Sequence, residues 1–284
     1  MKVIKTISAM QKSVTHWRKT GNSIGFVPTM GAFHGGHCAL IEAARRTNQI
    51  VVVSLFVNPL QFGPREDFHR YPRTFTQDRR FCEKAGVDGL FVPNENAMYP
   101  DRFQTIVMVR KITQGYEGQS RPTHFEGVTT VITKLCHIVV PDQVYFGQKD
   151  YQQAIVIKQM LADLNMPIKM VMRPTVRESD GLAMSSRNSL LKPNERRTAA
   201  VIYRVLEEGA RRIRAGERSG YRLRRNIETR LNAEPSIKVD YVGIMHPQTL
   251  VAVRQLEGSV VLTIAAYVGK TRLIDNIIVR VPAW

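Results

Sequence analysis

Apolar positions in the first half of the chain fall in short runs separated by stretches with helical spacing. Residues 24–28 (IGFVP) read as a short buried strand. Residues 50–57 (IVVVSLFV) form a β-branched run of the kind covered on both faces. Residues 89–92, 144–146 and 168–172 are further strand-like runs. Between them lie helical patterns over about 37–46, 74–85, 127–139 and 150–164. Gly86 and Pro141 provide stops, and Asp150 suits the positive end of a helix. The alternation predicts an α/β fold with a parallel sheet and helices on both faces.

The pattern changes near residue 175. Helical stretches over about 193–214 and 221–231 precede three strand-like runs at 238–244, 259–268 and 273–281. This order predicts a smaller α+β domain with antiparallel strands, and hence domains over 1–175 and 176–284. A chain of 284 residues with 43% hydrophobic and 23% charged residues accommodates both cores. The three cysteines are far apart and no CxxC pair occurs, so neither a zinc site nor a disulfide framework is expected. The N-terminal stretch lacks the apolar run of a signal peptide, and no 18-residue apolar window exists. A cytoplasmic location and no membrane contact are the expectations.

Charge adds a second theme. The formal net charge is +17, and residues 196–230 hold eleven arginines and no lysine against four glutamates. Such a balance invites a nucleic-acid reading. The stretch has only two aromatics, Tyr203 and Tyr221, and no zinc-finger or RNP pattern, and Glu207, Glu208 and Glu217 interrupt it at helical spacings. A solvated helix face is the better reading, and no nucleic-acid partner is expected. The same basic excess could instead steer anionic substrates.

Four segments carry candidate chemistry. Residues 28–37 (PTMGAFHGGH) lie between a strand and a helix. Gly31, Gly35 and Gly36 let backbone approach a ligand, and the helix that follows offers unpaired N–H groups. His34 and His37 are close to one helical turn apart, so both imidazoles can reach one phosphate edge and stabilise charge there. The alternative is a glycine loop with two incidental histidines. Residues 56–62 (FVNPLQF) follow the apolar strand. Their amides Asn58 and Gln61 suit hydroxyls and a carboxylate, or the segment is simply an Asn-Pro turn. Residues 146–153 (FGQKDYQQ) again join strand to helix. Lys149 offers a point charge to phosphate, and Asp150 caps the helix or holds a metal or ribose hydroxyl; a capped helix with a solvated lysine is the plainer meaning. Residues 176–188 (VRESDGLAMSSRN) bring two serine hydroxyls and the Arg187 guanidinium to a loop at the domain boundary, either phosphate donors or a polar connection.

HxGH after the first long strand resembles the adenylyl-transferring superfamily. Taken with residues 67–73 (DFHRYPR), 121–134 (RPTHFEGVTTVITK) and 272–276 (RLIDN), the segments resemble the pantothenate synthetase family in family order across almost the whole chain. FVNPLQF and DGLAMSSRN are more specific than HxGH. The resemblance implies a Rossmann-like N-terminal domain that binds ATP and pantoate, a smaller C-terminal lid, a homodimer, a Mg²⁺ requirement, and condensation of pantoate with β-alanine through a pantoyl adenylate.

It implies an ATP site of Met30, Gly31, Ala32, Phe33, His34, Gly35, Gly36, His37, Gly147, Gln148, Lys149, Asp150, Val176, Met184, Ser185, Ser186 and Arg187. His37 is the implied proton donor, and His34 and Lys149 join it as catalytic groups. Gln61, Gln153 and Asn58 fall to pantoate and β-alanine, and Asp150 to Mg²⁺ or the ribose. Gly36, Thr123 and Ser179 depart from the family pattern, which usually has an acidic residue, a glycine and a proline there. None of the three removes an implied ligand. The competing enzyme reading is a nucleotidyltransferase that keeps the nucleotide on its product, against which FVNPLQF argues.

Overall fold

The computed structural model describes residues 1–64 and 66–283, and their contacts separate into two units. The first takes in residues 1–147 and 153–174; the second takes in 148–152 and the chain from Thr175 onward.

In the first unit the elements are β1 (Lys2–Ile4), α1 (Ile7–Lys19), β2 (Ile24–Thr29), α2 (Gly35–Thr47), β3 (Ile50–Leu55), α3 (Phe75–Lys84), β4 (Gly89–Phe91), α4 (Glu95–Met98), α5 (Glu117–Ser120), α6 (His124–Val139), β5 (Gln143–Gly147), α7 (Tyr151–Asp163) and β6 (Lys169–Arg173). The strands form one parallel sheet in the order β1-β4-β3-β2-β5-β6. Alternation of side chains sorts the core into two layers. Ile24, Phe26, Val52, Phe91, Val144 and Phe146 meet α1, α6 and α7 on one face. Val27, Val51, Val53, Leu55, Leu90 and Tyr145 meet α2 and α3 on the other. The covered run at 50–55 is therefore apolar on both sides because helices lie on both.

The N-terminal β1 and α1 have no counterpart in the sequence expectations. β1 has three residues, too few for a period to show. α1 does carry a signal: the Thr6 side chain accepts from the Ala9 N–H at 3.2 Å, and Met10, Val14 and Trp17 are buried at helical spacing. The helix expected from 127 begins earlier, at His124, and the stretch expected over 193–214 divides at Ala200.

The second unit contains α8 (Pro193–Ala199), α9 (Val201–Arg214), α10 (Gly220–Asn232), β7 (Ile237–Met245), β8 (Ser259–Val268) and β9 (Thr271–Arg280). Its strands form an antiparallel sheet, β7-β8-β9. Val201, Ile202, Val205, Leu206, Ala210 and Ile213 make the buried stripe of α9, which joins α10 and the sheet in a core of its own. Among the described residues, no helix is long and apolar enough to cross a membrane.

Candidate active site

The strand order reverses direction between β2 and β5, and open parallel sheets bind ligands beyond the carboxyl ends of strands at such a point. β2 runs into the turn of Met30, Gly31, Ala32 and Phe33, and β5 ends on Gly147. Gly31 and Ala32 both have positive φ, +90° and +53°, which only glycine adopts without cost. The carboxylate of Asp78 holds this turn. It is 3% exposed and accepts from the Ala32 N–H at 3.0 Å, the Phe33 N–H at 2.9 Å and the Thr74 hydroxyl at 3.0 Å. Sequence reasoning missed Asp78. Its one signal, an acid in the first turn of a helix, reads as an ordinary dipole complement.

His34 caps α2, and Gly35, Gly36 and His37 make its first turn. The Gly36 N–H donates to His34 Nδ1 at 3.2 Å, and the His34 N–H donates to His37 Nδ1 at 3.3 Å, a reciprocal cap built from two imidazoles. An Nδ1 that accepts carries no proton, so a neutral ring holds its proton on Nε2. The ring centroids are 4.2 Å apart. The turn thus spends the backbone donors of Ala32, Phe33, His34 and Gly36 internally.

Asn58 and Gln61 flank the short turn Pro59–Gln61. Helix α6 presses directly on it: a Cβ on Gly127 would lie 2.4 Å from Gln61 N and from the Leu60 carbonyl, so only glycine fits. Asn58 is 1% exposed; its amide donates to the Gly127 carbonyl at 3.0 Å and to Gln61 Oε1 at 3.2 Å, and its oxygen accepts from Tyr99 at 2.7 Å. Gln61 Nε2 reaches Met30 Sδ at 3.2 Å and so joins this turn to the histidine turn. The Gln61 carbonyl receives Arg121 at 3.2 Å and His124 Nδ1 at 2.9 Å. Burial, with the Arg121 charge adding to it, pushes the His124 imidazole down to about 4. Gln153 lies half-buried in the first turn of α7.

In the second unit, Gln148, Lys149 and Asp150 form a tight turn. The Asn276 amide clamps it, donating to the Gln148 carbonyl at 2.9 Å and the Lys149 carbonyl at 2.8 Å. Lys149 Nζ lies 3.6 Å from Asp150, whose side chain is 46% exposed. The neighbouring Asp275 is buried and forks with Arg177 at 2.6 and 3.0 Å. Burial pushes the Asp275 carboxyl up, and Arg177 opposes it. Arg177 stacks 3.8 Å above the Tyr203 ring, and the Met184 N–H bonds the Val176 carbonyl at 3.0 Å. Arg177 and Asp275 therefore fix the hairpin that carries Val176 and Met184 into Ser185, Ser186 and Arg187, all half-buried. Ser185 caps the last turn by accepting from the Arg187 N–H at 3.2 Å. Asp275 and Asn276 were legible only as a motif without a role.

A parallel α/β sheet whose first long strand feeds a helix capped by paired histidines places the chain among α/β enzymes. The chain belongs, more narrowly, to the pantoate-beta-alanine ligase family, whose sequence profile matches residues 2–278. The pantothenate synthetase of Moorella thermoacetica is 50% identical over 281 residues, 99% of each chain. A solved pantothenate synthetase from Thermus thermophilus superposes with a TM-score of 0.93 at 44% identity, covering 98% of this chain and 99% of that one. A Francisella tularensis pantoate-beta-alanine ligase, solved as a complex with beta-gamma ATP and β-alanine, gives 0.81 at 36% identity over 98% and 97%.

Proposed function

We propose that the chain joins pantoate to β-alanine using ATP, through a pantoyl adenylate. The observation that carries this reading is the reciprocal histidine cap on α2, which fixes two Nε2 donors at the carboxyl end of β2. A carboxylate does not acylate an amine in water, because it is a poor electrophile. A pantoate oxygen attacks the α-phosphorus of ATP, and the bond to pyrophosphate breaks. The β-alanine nitrogen then attacks the acyl carbon, AMP leaves with the bonding pair, and the new amide loses its extra proton to solvent.

Charge builds on the α-phosphate in the first step. His34 and His37 donate to it there, and Lys149 offsets the phosphate charge. Because each ring begins with a proton on Nε2, His37 gives a hydrogen bond in this step and keeps its proton. The remaining residues of the 30–37 turn, Gly147 to Asp150, Val176 and Met184 to Arg187 cradle ATP. Gln61 and Gln153 bind pantoate, and Gln61 also β-alanine. Asn58 serves that pocket from beneath Gln61. Positioning and electrostatics supply the rate, since the route needs no protein nucleophile.

Magnesium is expected with ATP. It binds through one or two carboxylates together with substrate phosphates, and half-exposed Asp150 beside Lys149 suits that role. Bound there it would offset phosphate charge. A homodimer fits residues 104–110, where Val107 and Val109 pack on the core while Ile106 and Met108 are 48% and 57% exposed. Three free thiols suit a reducing cytoplasm.

The test is exchange of labelled pyrophosphate into ATP, with Mg²⁺ and pantoate and without β-alanine. Pantoate-dependent exchange is the expected result. Its absence from folded, ATP-binding protein would overturn the adenylate route.

A further inference from the structure

The orientation of the Asn58 amide is set by one partner with no choice of role, and that of Gln61 follows from it. The Gly127 carbonyl can only accept, and it lies 3.0 Å from Asn58 Nδ2. The Tyr99 hydroxyl lies 2.7 Å from Asn58 Oδ1 and donates to it. Asn58 is therefore held from both sides, and its second amide proton goes to Gln61 Oε1 at 3.2 Å. That leaves the Gln61 nitrogen on the opposite side, against the weak acceptor Met30 Sδ at 3.2 Å. A line of donors running from Tyr99 through Asn58 thus ends in amide protons at Gln61.

We propose that Tyr99 is a positioning residue for the acid-substrate pocket: through Asn58, its hydroxyl keeps Gln61 turned so that N–H groups, not the amide oxygen, face the substrate. The inference rests on the reading that Gln61 meets pantoate and β-alanine. Both substrates bring carboxylate oxygens, which accept and never donate. An amide oxygen turned toward them would repel them, so the orientation of Gln61 selects for anionic oxygen.

Tyr99 is built to hold this bond. It follows α4, and its ring packs against Phe103 and Phe56 with centroids 5.0 and 6.0 Å apart. Lys134 Nζ lies 6.0 Å from the ring centroid. Burial, with Glu95 adding to it, raises the phenol, which stays a donor at all working pH. Without the hydroxyl, Asn58 in its present orientation leaves a buried oxygen unpaired. In the flipped orientation it sets oxygen against the Gly127 carbonyl and draws the Gln61 nitrogen inward. The productive state of Gln61 then becomes one of two. Should it fall to about a tenth of the population, apparent affinity falls about tenfold.

The test is a mutant cycle on the full chain, with KM for each substrate and kcat measured separately. Tyr99→Phe keeps the ring and its packing. It is expected to raise KM for pantoate and β-alanine about tenfold, with kcat within about twofold and KM for ATP unchanged. In the Gln61→Ala background, Tyr99→Phe is expected to add nothing, because the residue it acts through is gone. Additive losses would assign Tyr99 a merely structural role and overturn the proposal. Asn58→Asp still accepts from Tyr99 but has no proton for Gln61, so it should reproduce the rise in KM. If it does while Tyr99→Phe behaves as wild type, Gly127 alone orients the pair and Tyr99 is excluded. If Gln61→Ala leaves both KM values untouched, the substrate role of Gln61 fails, and that outcome is distinct from a failure of Tyr99 alone. Melting temperatures of all variants separate loss of fold from loss of orientation.

Discussion

A backbone carbonyl can only accept, so the 2.9 Å contact between His124 and Gln61 puts the His124 proton on Nδ1. The two capping histidines are the reverse case, with Nδ1 accepting and Nε2 protonated. The same side chain is thus a strut against the 59–61 turn at one position and a helix cap at two others. The strut has a stability cost in acid. His124 titrates near 4 when folded and near 6.5 when unfolded, so between those values the unfolded chain holds more protons. Stability therefore rises with pH across that window and is lost as pH falls through it, by about 3 kcal/mol in all. His124→Asn keeps a donor near the Nδ1 position and does not titrate. Denaturant titrations from pH 7 to pH 4 should show a shallower decline for this variant than for wild type. Equal slopes would mean that His124 does not stay neutral in the fold. For the capping pair the informative comparison is His37→Asn against His37→Gln. Asparagine has no atom at the Nε2 position and should lower pyrophosphate exchange about 10²- to 10³-fold, as loss of one preorganised donor does. Glutamine can place an N–H there and should retain part of the rate. Equal loss in both variants would remove the Nε2 donor from the mechanism.

At the scale of elements, the packing of α6 on the 59–61 turn shows what a sequence pattern conveys and what it omits. The apolar spacing of residues 127–139 announced a helix, and the alternating runs announced strands of a parallel sheet, because both periods are local. The motifs announced His34, His37, Gln61 and Lys149, because close spacing within a segment is local too. Nothing local marks Gly127 as the point where α6 meets the backbone of Leu60 and Gln61, about 65 residues upstream. Asp78 is likewise 46 residues from the turn it holds, Tyr99 is 41 from Asn58, and Asn276 is 127 from Lys149. The candidate ligands were legible, and the residues that aim them were not, since aiming depends on tertiary contact. β1 was missed for the opposite reason, being too short for any period. Gly127→Ala tests the contact directly. A Cβ at 2.4 Å from main-chain atoms must displace backbone, and overpacking of this kind costs about 1–3 kcal/mol. Displacing the turn also moves Gln61. The variant should therefore melt lower and show a raised KM for pantoate. A lower melting temperature with unchanged KM would separate α6 packing from the substrate segment.

Over the whole molecule the unusual quantity is the net charge of +17. Its densest stretch is the solvated side of α9 and α10. Three arginines there are engaged by glutamates: Arg222 with Glu217 at 3.0 Å, Arg224 with Glu228 at 2.8 Å and Arg230 with Glu208 at 3.3 Å. Arg211, Arg212, Arg214 and Arg225 are exposed. Pairs this open contribute little to stability, so the excess calls for an account other than fold. A summed field acts at long range and draws anions before any contact forms. The three substrates supply their own controls, because Mg-bound ATP carries about two negative charges, pantoate one, and zwitterionic β-alanine none. Raising ionic strength from 0.01 M to 0.15 M shortens the screening length from about 30 Å to about 8 Å. If the field steers substrates, kcat/KM should fall severalfold for ATP, less for pantoate and hardly at all for β-alanine. A flat response for ATP would exclude steering. An equal fall for all three would assign the salt effect to the enzyme's own conformation, since only a field on the ligand distinguishes substrates by charge.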